Sequence, residues 1–439
     1  MVLACTFVLL GAKKASRPPE QLFTAKKVFI LNAGGEENPV QATWTRRGYS
    51  GGPDRAYNQF FAAMKSWRHF ELVQAPADAD LVFEIEYADL FVWEQVKPPR
   101  IHTPSDGTHR GDSSPGFLEQ VESPQVSLTI RDPKTRETLW TFTETIGAAA
   151  LQSNRNRNFD RSVSALVKDV RKLMGEPKRT VFVPKDPTPA PVPQQIVAAT
   201  KVLVRNAGTQ SDPVYDKFFA TLKSWGRYAL VTDLAEADLV FELSFDGSHV
   251  RLKIIDPRTR IGLWGMTKDV EPTRSLTDQN LQRGIATLVT DIARIAGQPG
   301  AAISVPRAAP AAPLPPQLIA AKTVFLSHAD PKRVDADMQA TLYDQVFYDQ
   351  VFAALQSWGR FRLVAAAADA DLILEPSADS ERVNLTFLNP QTGDLIWRFT
   401  EGVKDAFLKS TERKNVRVAM TTLTDKVRGA VTGATVPAT

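Results

Sequence analysis

Few side chains in this sequence could do chemistry, and their spacing decides how each is read. Asp80, Asp238 and Asp371 recur, each preceded by an alanine at the start of an apolar run. A carboxylate at such a point can be a base, a metal ligand, or an acceptor for turn amides; the last role needs no further partner and is the reading adopted. Asp132 and Asp256 also recur, but the third equivalent is Asn389. An amide oxygen can replace a carboxylate as a turn acceptor and cannot replace it as an acid or base. The histidines at 69, 102, 109, 249 and 328 share no recurring position, and His102 and His109 lie in a Pro/Gly/Ser-rich stretch without ligand spacing. A single cysteine, Cys5, excludes an intrachain disulfide framework and a cysteine-cluster metal site. The glycines of NAGGEEN and RRGYSGGP lack the Gly-Lys-Ser/Thr ending of a phosphate loop, and no Gly-x-Ser-x-Gly elbow occurs. No catalytic, cofactor-binding or metal-binding residue is therefore assigned, no cofactor is expected, and no binding residue is singled out.

The strongest electrostatic feature is Arg155, Arg157, Arg161, Lys168, Arg171 and Lys172, interleaved with Asp160 and Asp169. It reads as a solvated helix face, ahead of a surface for an anionic envelope partner. The 53 Lys+Arg against 49 Asp+Glu leave a net charge of +4 over 439 residues, too little for a nucleic-acid footprint. The hydrophobic fraction of 43% is that of a globular chain.

The elements that must position these residues come in three copies. KSWRHFELVQAPADADLVFEIE (from Lys65) recurs as KSWGRYALVTDLAEADLVFELS (from Lys223) and QSWGRFRLVAAAADADLILEPS (from Gln356). VSLTIRDPKTRETLWTFTE is matched by VRLKIIDPRTRIGLWGMTK and VNLTFLNPQTGDLIWRFTE, which places Trp140, Trp264 and Trp397 in register. Such periodicity outranks local signals. It divides the chain into repeat domains at 18–176, 196–298 and 318–434, joined by Pro/Ala-rich linkers at 177–195 and 299–317. Linkers of that composition favour extended, semi-rigid conformations, so the expectation is separate domains on a stiff string.

Within a copy, an apolar run (Lys27–Asn32, Lys201–Asn206 or Thr323–His328) reads as a strand. In the second copy Tyr215, Phe218, Phe219, Leu222 and Trp225 then form a helical stripe, with Asp212 as N-cap and Pro213 at the first helical position. Gly226 and Gly359 would end that helix, where the first copy has Arg68. A short strand (FELV, YALV or FRLV), two alternating strands, a DPKTR-type turn, a strand and a closing helix follow; Val163, Leu166, Val167 and Val170 mark that helix in the first copy. The expected class is α/β (α+β): two-layer β-α-β-β-β-β-α units, each a mixed sheet with both helices on one face. Ser127, Thr129 and Arg131, or Arg251 and Lys253, fall on the other face, read as solvated in preference to an interaction surface.

The blocks ADADLVFEIE, DPKTRETLWTFTE and SVSALVKDVRKLMG resemble bacterial envelope domains, notably the amino-terminal domain of TolB and the related domain of curli-secretion lipoproteins. That resemblance implies a small α/β domain used for binding or assembly in the cell envelope, without catalytic residues.

Residues 2–12 have the length of a signal-peptide core but lack a basic start, and Val2-Leu3-Ala4-Cys5 loosely matches a lipobox. A signal over 1–16 is expected, ahead of a surface anchor or a buried segment. No other run approaches the ~18 apolar residues of a membrane span. The first copy carries two insertions: Asp54 follows Asn32 by 22 residues where Asp212 follows Asn206 by 6, and residues 87–124 lengthen the hairpin region. In the third copy YDQVF is duplicated at 343–352, which would extend or fray its helix. The expectation is a non-enzymatic exported protein, periplasmic or secreted, with three modules for a protein or other envelope component, engaged multivalently. The alternatives are an enzyme with its site confined to the insertion-bearing first copy, and a spacer without a ligand.

Overall fold

The computed structural model describes residues 18–35, 49–96, 117–149, 151–176, 181–209, 212–246, 249–270, 278–328, 341–378, 382–404 and 409–432. The expected signal, Cys5, His102 and His109, the bulk of the first insertion and the middle of the second lie outside them. Over the first sequence copy the elements are α1 (Gln21–Thr24), β1 (Lys27–Gly35), α2 (Arg55–Trp67), β2 (Glu71–Val73), β3 (Leu81–Val96), β4 (Phe117–Arg131), β5 (Thr138–Thr145) and α3 (Gln152–Leu173). The second has α4 (Gln194–Ala198), β6 (Lys201–Thr209), α5 (Asp212–Trp225), β7 (Ala229–Val231), β8 (Leu239–Phe245), β9 (His249–Ile255), β10 (Gly262–Asp269) and α6 (Asp278–Ile295). The third has α7 (Pro316–Ala320), β11 (Thr323–Leu326), α8 (Thr341–Trp358), β12 (Arg362–Leu363), β13 (Leu372–Ala378), β14 (Arg382–Leu388), β15 (Leu395–Gly402) and α9 (Lys409–Thr432). The fold is mixed α/β, as the patterning implies.

Local chemistry explains the element boundaries. Tyr215, Phe218 and Leu222 on α5 are buried, as are Val163, Leu166, Val167 and Val170 on α3, each set on one stripe of its helix. After α2, α5 and α8 the chain turns left-handed at Arg68 (φ 58°), Gly226 (φ 71°) and Gly359 (φ 66°). Arg68 pays a Cβ penalty there that glycine avoids. Helix α8 has 18 residues against 13 in α2 and 14 in α5, so the duplicated YDQVF extends it. The added unit leaves Val346 and Phe352 exposed while Phe347 and Val351 are buried.

On the strands Leu81, Phe83 and Ile85 are buried, and so are Val126, Leu128 and Ile130 across the ladder, while Glu84, Ser127, Thr129 and Arg131 alternate with them. The second insertion lengthens the β3–β4 hairpin: its antiparallel ladder runs out to Val96↔Phe117.

Sheet topology departs from the expected string of separate domains. Strands β5-β4-β3-β1-β10-β9-β8-β6-β7 form one continuous sheet, with β2 also paired to β1, so the first and second copies share it. The junction is a parallel pairing of β1 with β10 at Asn32↔Trp264. The third copy has its own sheet, β12-β11-β13-β14-β15, with β15 lying against β6.

Nor are the Pro-rich segments spacers. Ala190 N donates to Asn58 Oδ1 (2.8 Å), Gln59 Nε2 donates to the Lys185 carbonyl (3.1 Å), and Tyr57 Oη donates to the Pro191 carbonyl (3.1 Å). The second linker repeats the arrangement, with Ala312 N donating to Asp216 Oδ1 (2.8 Å) and Lys217 Nζ to the Arg307 carbonyl (3.3 Å). Val181, Val183 and Val192, like Ile303, Val305 and Leu314, pack against the core. Polyproline segments leave their backbone groups unpaired, so they bind readily to side chains that offer donors and acceptors.

Candidate functional site

The strongest candidate is a cleft of about 360 Å³ on the polar sheet face, where the first two copies meet. Its walls come from β1 (Leu31, Ala33, Gly34), β3 (Glu84, Glu86), β8 (Glu242, Ser244), β9 (Arg251, Lys253) and β10 (Trp264–Thr267). The close approach of β1 to β10 depends on glycine. A Cβ on Gly265 would fall 2.1 Å from the Ala33 carbonyl oxygen, and Gly34 holds φ 105° against the Gly265 backbone. Asn32 fixes that bend by accepting from Gly34 N (3.1 Å) and donating to Asp54 Oδ1 (2.8 Å). Asp54 in turn accepts from Arg294 on α6 (3.0 Å), which ties the two copies together.

Charge is arranged in opposite-sign neighbours along this face. Arg131 Nε donates to Glu84 (2.7 Å), Arg205 lies 3.7 Å from Glu242, and Arg251 pairs with Asp246, which His249 also approaches. Burial pushes the Glu242 carboxyl up and Asp394 adds to it, against Arg205, Lys253 and Arg398. Burial likewise pulls the Arg205 guanidinium down, opposed by Glu242 and Asp394. Asp394, from the third copy, also meets Arg260 (3.0 Å) and Arg136 (3.8 Å). Lys253 is exposed at the cleft wall. The arrangement offers anchored cations and carboxylates from two copies to a polar, charged partner, with the Glu242 carboxyl raised above its ordinary value by burial.

Of the residues named from the sequence, Arg251, Lys253 and Trp264 line the cleft, while the recurring aspartates lie elsewhere. Asp80 Oδ2 accepts from the Lys26 and Lys27 amides (2.8 and 2.9 Å), Asp238 from Thr200 and Lys201 (2.9 Å each), and Asp371 from Lys322 and Thr323 (2.8 and 2.9 Å). These amides open the first strand of each copy and are not those of the neighbouring turn, a pairing only the fold could reveal. They hold all three carboxyls below the usual range. Asp132 accepts from the Lys134 and Thr135 amides, Asp256 from Arg258 and Thr259, and Asn389 from Gln391 and Thr392. The Asp-to-Asn exchange thus preserves a turn acceptor.

The basic cluster on α3 is not one face. Arg155 is buried and donates to the Ala149 carbonyl (3.2 Å), while Arg171 pairs with Glu176 (2.8 Å) and lies over the Trp67 ring. Asp160 is taken up by Arg55 (2.6 Å) and Gln59 (2.8 Å) between α2 and α3. His69 stacks on Trp67 and His328 on Tyr348. Among the described residues no group of three or more His, Cys, Asp or Glu could hold a metal ion, and no helix is long and apolar enough to cross a membrane.

Sequence reading did not single out the cleft or the docked linkers. The linkers had a signal: VPK and VPR, followed at equal spacing by Ala190 and Ala312, recur in register like the sequence blocks on either side. For the cleft, Glu84, Glu242 and Lys253 carry no mark that separates them from any solvated strand face.

No protein-family model and no curated protein matches the chain. Among solved structures, a homolog of neuraminyllactose-binding hemagglutinin from Helicobacter pylori aligns with 38% of this chain and 91% of its own, at 13% identity and a TM-score of 0.22.

Proposed function

We propose that the chain is a non-enzymatic binding or assembly protein of the bacterial cell envelope, exported to the periplasm or beyond. It is built from three tandem copies of one β-α-β-β-β-β-α domain at 18–176, 196–298 and 318–434. The recurring order of elements and the like docking of both linkers support the repeat. The resemblance to TolB amino-terminal and curli-secretion domains supports the compartment and the role. The observation that carries the reading is the cleft: a concave, charged surface to which two copies contribute, of the size ligand sites take. The recurring aspartates support a non-catalytic role, because strand and turn amides occupy them. The partner is a protein or other envelope component with charged groups, engaged by more than one copy at once. The lengthened β3–β4 hairpin gives the first copy an arm for such contacts.

The test is retention of an envelope component on the immobilised chain beginning at Pro18. The expected result is a specific component retained in the presence of moderate salt. A clean blank from envelope extract, with the chain folded, would count against binding as its role.

A further inference from the structure

The chain makes the same joint twice. Trp264 on β10 packs edge-on against Tyr57 on α2, ring centroids 5.1 Å apart, and Trp397 on β15 packs edge-on against Tyr215 on α5 at 4.8 Å. In each case the last strand of one copy seats its tryptophan on the first long helix of the copy before it. All four rings are buried, at 2–4% exposure. Aromatic pairs of this geometry contribute beyond the area they bury.

Among the described residues, the two joints leave one half-joint on the first copy and one on the third. Trp140 on β5 and Tyr348 on α8 hold the equivalent sequence positions, and both are only half-buried, with His328 of the same copy stacked on one face of Tyr348 at 4.2 Å. Strand β5 is the outer edge of its sheet. Tyr348 is oriented as its counterpart is, since its hydroxyl donates to the Leu326 carbonyl (3.3 Å) as that of Tyr215 donates to Val204 (3.0 Å). The two unused halves also belong to copies already in contact: Arg136, in the β4–β5 turn, lies 3.8 Å from Asp394 in the β14–β15 turn. The same Asp394 meets Arg260 of the second copy, so the three hairpin turns converge on one carboxylate.

We infer that β5 docks its Trp140 edge against the β11 edge and Tyr348 of the same chain, closing the three copies into a ring through a third joint. This rests on reading the copies as one repeated unit. The chain's own third copy is favoured over a second molecule because the two halves are tethered and their turns meet, which gives a high effective concentration. The joint is of the second kind. Gly265 permits strand pairing because nothing larger fits beside Ala33, whereas Thr141 stands at that position in β5. The β15–β6 contact shows that the aromatic seat forms with Arg398 at the same position, between strands of separate sheets.

The test uses the full chain carrying Cys5→Ser with Thr138→Cys and Ser327→Cys. These positions correspond to Gly262 and Leu31, which adjoin in the first joint. Treatment with a short flexible bis-maleimide is expected to give a crosslinked monomer whose yield is unchanged on dilution. Adding Trp140→Ala should abolish most of that product without altering the circular dichroism of the chain. Crosslinked dimers and larger species that grow with concentration would assign the joint to a second copy and overturn closure. Absence of any product, or a yield indifferent to Trp140→Ala, would overturn it as well. None of these outcomes bears on the repeat, which rests on element order and linker docking.

Discussion

At the scale of single residues, the recurring aspartates are acceptors for backbone amides, and their behaviour with pH follows. Asp80, Asp238 and Asp371 have depressed values in the fold. Their stabilisation is therefore complete above the unfolded value, about 4, and is lost as pH falls through the depressed folded values. Asp238→Ala is expected to cost about 1 kcal/mol at neutral pH, as a urea midpoint shift, and to lose less stability on acidification than the parent. Glu242 runs the other way. Its folded value is raised, so the fold binds a proton more readily than the unfolded chain, and stability falls as pH rises through that window. Glu242→Gln should flatten this dependence in the same titration. Arg68, held left-handed where the other copies have glycine, predicts a gain: Arg68→Gly should stabilise by about 1 kcal/mol. That cap was legible in the sequence because the three copies could be compared. The partners of the aspartates were not, since Lys26 and Asp80 meet only once β1 and β3 are paired.

At the scale of elements, periodicity identified the helices and strands, because a buried stripe or an alternating face is a local property of the chain. It could not identify what the open edges meet. Asn32, Gly34 and Gly265 form the junction, yet in the sequence the glycines show only that no phosphate loop is present. Gly265→Val is expected to separate β1 from β10, with loss of amide protection at 28–35 and 262–269 and a cost of about 1–3 kcal/mol. Unchanged exchange there would mean that the two copies do not share a sheet. The linkers give a second test at this scale. Asn58→Ala removes the acceptor for Ala190 N and should make residues 181–192 more sensitive to protease, leaving the core intact. Composition alone suggested a stiff spacer, since proline content describes local stiffness and carries no information on what the segment lies against.

At the scale of the whole molecule, the string of separate domains gives way to copies of which the first two share a sheet, and which exchange ion pairs and are strapped by the linkers between them. The charged cleft exists only because the first two copies are joined, so the binding proposed there would be a property of the assembled chain. Isolated repeats would each keep a polar sheet face but lose the concavity between Glu84 and Glu242. The most direct test of that central claim is an equilibrium titration of the retained envelope component against the parent chain and against Lys253→Glu. The substitution reverses an exposed charge on the cleft wall and leaves the core untouched. The account predicts weakening by about tenfold or more, equivalent to about 1.4 kcal/mol, with the circular dichroism of the folded chain unchanged. Equal affinity for both chains would contradict it and place binding elsewhere on the molecule.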